Sequence, residues 1–139
     1  MIKNKKLLYW FYFLLIVDVL FLPGLIVSSF YIIGIPGLIL NLWLLFIILK
    51  IINSLKAGAI IAKKHSIYFA TGELLFIIYQ NFIILLLSGF QETDYTILYI
   101  YMAFYFIVGL ILVLITMRQV KKYNASLNEA EIPTQINIL

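Results

Sequence analysis

Four long apolar stretches, separated by short polar or basic segments, organise this chain. They run from about Leu7 to Val27, Ile35 to Asn53, Ile67 to Leu87 and Tyr95 to Met117. Each is close to the ~20 residues a helix needs to cross a hydrocarbon core. No water is available inside a bilayer to satisfy the backbone, so segments this long and evenly apolar read as helices and not as barrel strands. The pattern predicts an all-α integral membrane protein with four transmembrane helices in two hairpins. This domain fills residues 1–122, and a polar tail, mobile or bound to a partner, follows over 123–139. Pro23-Gly24 reads either as a kink near the end of the first span or as the start of a re-entrant loop over 23–34. Gly34-Ile35-Pro36-Gly37 is a strong turn signal that opens the second span.

Composition supports the membrane reading. Hydrophobic residues make up 65% of the chain and charged residues 12%, whereas soluble domains average about 45–50% and about 25%. A soluble chain of 139 residues has too little interior to hide that much apolar surface. The absence of cysteine excludes disulfides, thiolate metal sites and cysteine nucleophiles. The first apolar run follows Lys3, Lys5 and Lys6 as a signal peptide would. It carries Asp18, though, and outlasts an h-region without a cleavage site, so an uncleaved span is expected.

The charges add a topology. Lys3, Lys5 and Lys6 form one group, Lys50, Lys56, Lys63 and Lys64 a second, and Arg118, Lys121 and Lys122 a third. Pairs of spans separate the groups, so all three face one side. The positive-inside bias makes that side the cytoplasm of the cell membrane, with both termini inside. Lys3, Lys5, Lys6, Lys56, Lys63, Lys64, Arg118, Lys121 and Lys122 are expected to meet anionic headgroups there, each adding about 1 kcal/mol. His65 joins them at the headgroup level. Glu92 and Asp94, in the turn Ser88–Asp94, fit the outer side. Tyr9, Trp10 and Tyr12 near one face, and Tyr31, Tyr95 and Tyr99 near the other, fit the aromatic belts. A basic soluble face, which nucleic-acid binding needs, is missing. Asn124-Ala125-Ser126 matches a glycosylation acceptor, but on the inner side.

The polar residues within the spans carry the chemical information. Asp18 lies about eleven residues into the first span, near mid-bilayer, and Glu73 about six residues, or roughly 9 Å, into the third. An acidic residue at the centre of a span costs about 2.5–3.5 kcal/mol, so both should face the bundle interior or a wet cavity. The clusters leave no Lys or Arg within a span to pair with them. Each must be protonated, hydrogen-bonded to neutral groups, or bound to a cation. On the third span Ser66, Ala70, Glu73, Gln80, Asn81 and Ser88 fall within an arc of about 100°, a polar stripe turned from lipid. Tyr95, Met102, Gly109 and Thr116, with Tyr105, form a milder counterpart on the fourth. Gly34, Gly37 and Asn41 on the second permit close helix approach.

Asp18, Asn41, Glu73, Gln80 and Asn81 are therefore the candidate residues for an ion pathway. The competing reading makes them glue, each interhelical bond contributing about 0.6 kcal/mol. No phosphate loop, serine–histidine–acid set, metal-ligand set or heme-ligand pair is visible, so no cofactor, metal or enzymatic activity is expected. The primary expectation is a non-enzymatic accessory, regulatory or immunity-type partner of a larger membrane complex. The alternative is a small ion- or proton-coupled transporter or channel using Glu73 and Asp18. Four helices leave little room for a pore, so that role calls for a homo-oligomer, as the first calls for a partner membrane protein. In size and span count the chain is similar to the small multidrug resistance exporters, four-helix proteins with one essential membrane glutamate. The likeness ends there: their glutamate is on the first helix, where this chain has Asp18, and Glu73 is on the third.

Overall fold

The computed structural model describes residues 4–88 and 95–131, with side chains described for 4–86 and 96–129. It contains helix α1 (Lys5–Ser29), a 3-10 turn (Ile32–Gly34), and helices α2 (Ile35–Lys56), α3 (Lys63–Ser88) and α4 (Tyr95–Glu131). Four helices are long and apolar enough to cross a membrane, the mark of an integral membrane protein. The expectations for Lys3, Glu92, Asp94 and residues 132–139, and for the side chains of Ser88 and Tyr95, lie outside the described residues.

Local chemistry sets the helix ends. Asn4 caps α1, its Oδ1 accepting from the Leu7 amide at 3.1 Å. Helix α1 then passes through Pro23 and persists to Ser29, so residues 23–29 are helical and the re-entrant alternative is not what forms. Proline removes a helical N–H, which membrane helices tolerate better than exposed soluble ones because other polar groups re-satisfy the backbone. Pro36 opens α2, where its missing N–H costs nothing. Gly58, at φ 65°, takes the left-handed conformation just beyond the end of α2.

Helix α1 packs on α2, α2 on α3 and α3 on α4. The core joins Leu7 and Phe11 of α1, Leu44, Ile48, Ile51 and Ile52 of α2, and Phe69 of α3. Phe11 and Phe69 meet edge-on with ring centroids 5.7 Å apart. Small residues set the closest approaches: Gly37 faces the Tyr79 ring, Gly72 faces Leu44 and Trp43, and Gly109 faces Ile77. Leu20, Phe30, Ile97 and Phe104 remain on the outside, as in a protein whose solvent is hydrocarbon.

Two expectations are corrected. Lys50 is not between the apolar stretches but within α2, exposed, its ammonium 5.2 Å from the centroid of the Phe46 ring. It lies about 9 Å before the helix end at Lys56, a distance a snorkelling side chain spans. The second correction concerns the tail. Helix α4 does not stop near Met117 but continues to Glu131, so residues 123–131 are helical and held in place. Val120, Tyr123 and Leu127 are buried, three apolar residues at helical spacing inside a charged stretch.

That extension grips the α2–α3 connection. Asn124 takes both backbone groups of one residue: its Oδ1 accepts from the Ile61 amide, and its Nδ2 donates to the Ile61 carbonyl, each at 2.9 Å. The Tyr123 hydroxyl donates to the Ala59 carbonyl at 3.1 Å. Replacing Asn124 with Ala leaves two part-buried backbone groups without these partners, and should cost about 1–3 kcal/mol. Hydrogen exchange is the check: the Ile61 amide should lose protection while amides at the centre of α2 keep theirs. Equal protection in the variant would show that the connection does not depend on this clamp.

Candidate functional site

The buried positions of α1 include Leu7, Phe11, Leu14, Asp18 and Leu25, a stripe at steps of three, four and seven. Asp18 occupies one place in that stripe, so the packing that buries its apolar neighbours also turns the carboxylate inward. It is 5% exposed. On α3, Glu73 stands between Phe69 and Phe76, both buried, and is carried to the same side. Helix α4 closes the third wall with Tyr105, Gly109, Leu112 and Thr116.

The result is a cavity of about 200 Å³ between α1, α3 and α4, lined by Asp18, Glu73, Tyr105 and Thr116 among Phe, Val, Leu and Ile side chains. Among the described residues no Lys, Arg or His lines it. The Asp18 Oδ2 atom is buried without a hydrogen-bond partner among the described residues. Asn41, fully buried on α2, does not reach the carboxylate: its Nδ2 donates to the Asp18 backbone carbonyl at 3.3 Å. About two turns before Asp18, the Trp10 Nε1 donates to the Thr116 Oγ1 at 2.8 Å, and that hydroxyl donates to the Leu112 carbonyl at 2.8 Å. This bridge pins α1 to α4 beside the cavity.

The stripe on α3 is turned inward along its described length, with Ser66 buried and Ala70, Glu73, Gln80 and Asn81 half-buried. Its members do different things. Gln80 lines a second, larger cavity of about 500 Å³, walled by Phe21, Gly24 and Leu25 of α1, the 3-10 turn, and Tyr79 and Ile83 of α3. Asn81 turns back on its own helix, Nδ2 donating to the Ile77 carbonyl at 3.0 Å. The five candidate residues thus divide: Asp18 and Glu73 share one cavity, Asn41 supports the backbone at Asp18, and Gln80 and Asn81 lie apart.

Two residues matter more here than the sequence reading allowed. Trp10, assigned there to an aromatic belt, is the donor of the α1–α4 bridge. Phe21 lines both cavities and stands edge-on to Phe76, 5.9 Å between centroids at 74°, so it forms part of the wall between them. Trp10, Val17 and Phe21 are spaced by seven and four, one helical face, and that spacing was the available signal. No protein-family model, curated protein or solved structure matches the chain.

Proposed function

We propose that this chain is a small ion- or proton-coupled membrane transport protein in which Asp18 and Glu73 share a proton- or cation-exchanging site. The observation that carries this reading is the meeting of two acidic residues, from different helices, in one cavity that no basic residue lines among the described residues. An acidic group within a span is costly. Among the described residues the bonds that join helices use other atoms: Asn41 to the Asp18 carbonyl, Trp10 to Thr116, and Tyr79 to the Ile33 carbonyl. The carboxylates are thus not spent as glue. A volume of about 200 Å³ has room for a few waters, at about 30 Å³ each, or for a small cation.

In this reading the four helices form two hairpins in the cell membrane, with both termini and the α2–α3 connection cytoplasmic. Support comes from the positive-inside bias and from contacts that gather one end of the molecule. Lys56 sits over the Tyr12 ring, Tyr123 reaches Ala59, and Lys6 and Lys122 line one cavity. The protein works as a homo-oligomer, because four helices leave little room for a pore within one copy. The accessory or immunity-type role is the second reading, favoured by the same interhelical bonds, which show polar residues acting structurally.

Proton and cation flux into proteoliposomes tests the choice. Glu73→Gln and Asp18→Asn should each lower flux about tenfold or more while the helical content is kept. Unchanged flux in both variants would remove the transport reading. A well-folded, flux-free protein that co-purifies with a larger membrane protein would replace it with the accessory one.

A further inference from the structure

The end of the molecule where α1 begins holds a third cavity, of about 330 Å³, away from the acidic one. Asn4, Lys6 and Leu7 of α1 line one side, and Gln119, Lys122, Tyr123 and Ser126 of α4 the other. This cavity exists because α4 outruns its apolar stretch: Val120, Tyr123 and Leu127 join the core that contains Leu7, which lays the α4 extension beside the start of α1. We propose that this cavity binds the phosphate group of an anionic lipid, held between Lys6 and Lys122. The site does not depend on the transport reading.

Three features point to that ligand. The first is charge. Two lysines from elements more than a hundred residues apart line one cavity, and among the described residues no Asp or Glu lines it with them. Like charges gathered this way repel, and a bound anion converts the repulsion into two attractions. The second is the state of the neighbouring polar groups. The Asn4 side chain is committed to the Leu7 amide at 3.1 Å, the Ser126 hydroxyl donates to the Tyr123 carbonyl at 2.7 Å, and the Tyr123 hydroxyl donates to Ala59. These groups form a fixed wall, and Lys6, Lys122 and the Gln119 amide supply the donors. The third is depth. Leu7 opens the apolar run of α1, and Gln119 lies only about 3 Å along the axis beyond Met117, where that of α4 ends. A lipid phosphate sits at this boundary, its acyl chains continuing along the apolar helix surfaces. Basic pockets between transmembrane helices are a recurrent way of holding anionic headgroups.

The assignment separates a defined pocket from diffuse attraction, since Lys63 and Lys64 are equally charged and exposed but lie outside it. The test uses the full chain purified in a nonionic detergent, with bound lipid counted by native mass spectrometry. The probes are phosphatidylglycerol, phosphatidylcholine and inorganic phosphate. Wild type should retain phosphatidylglycerol in preference to phosphatidylcholine. In K6Q/K122Q its affinity should fall about thirtyfold, the effect of losing two lysine contacts. It should stay near wild type in K63Q/K64Q, which loses the same charge elsewhere. K6R/K122R should retain the lipid, and serves as the reference if the glutamine pair folds poorly. Equal losses in the two glutamine pairs, or no preference for phosphatidylglycerol, would overturn the proposal. So would inorganic phosphate that binds alone and displaces the lipid at millimolar concentration, because the ligand would then be a free anion.

Discussion

Replacing Gly37 with Leu should destabilise the protein by about 2–4 kcal/mol. Gly37 is buried on α2 and faces the Tyr79 ring of α3, where an added Cβ would overlap ring atoms. The ring has little freedom to yield, because the Tyr79 hydroxyl donates to the Ile33 carbonyl at 2.7 Å. A larger residue must either push α2 from α3 or drive the ring away and break that bond. Overpacking of this kind costs about 1–3 kcal/mol, and the lost bond adds about 1 kcal/mol. Gly24 is the internal control: nothing lies within 4 Å of where its Cβ would stand. Gly24→Ala should be neutral or stabilising by up to about 1 kcal/mol, since alanine is the better helix former. Unfolding in mixed micelles measures both. Similar midpoints for G37L and G24A would mean that the α2–α3 approach does not rest on the Gly37 contact.

The close approach at Gly37 was legible in the sequence, and the reason is physical. Gly34, Gly37 and Asn41 recur on one helical face, where small residues have no use in contact with lipid. Asp18 and Glu73 were legible as inward-facing on similar grounds, because only the interior tolerates them. What they face was not legible. Their meeting depends on α1 and α3 being brought to opposite sides of one cavity with α4 as the third wall, which no spacing within one helix encodes. Gln80 and Asn81 make the same point at finer scale. They are adjacent and chemically alike, but a step of about 100° sends one toward the larger cavity and the other back to its own helix. The α4 extension was hidden for a different reason. Its apolar positions, Val120, Tyr123 and Leu127, are diluted among Lys, Asn, Ser and Glu. The polar contact that clamps it joins Asn124 to a partner 63 residues away in sequence.

Exchanging either cavity carboxylate for leucine should separate function from stability. On insertion scales an acidic residue at the centre of a span costs about 2.5–3.5 kcal/mol, whereas leucine contributes about −0.3 to −0.6 kcal/mol. Folding and packing recover part of that difference, because the native cavity accommodates the acid better than lipid does. About 1–3 kcal/mol should remain as a gain in stability for Asp18→Leu or Glu73→Leu. The space is there to receive the side chain, about 200 Å³ lined mainly by apolar groups. Flux should vanish in the same variants. Asn41 provides the contrast, since its side chain does hold two helices together. Asn41→Ala should lose about 0.6–1.7 kcal/mol and leave flux nearly intact. The three midpoints, read in one unfolding assay, therefore carry opposite signs for site and for glue. If Asp18→Leu and Glu73→Leu destabilise as Asn41→Ala does, the carboxylates are structural and the exchange site is lost. If they stabilise, the protein is keeping two costly groups in the membrane that its fold does not need, and the flux measured beside them identifies what the groups are for.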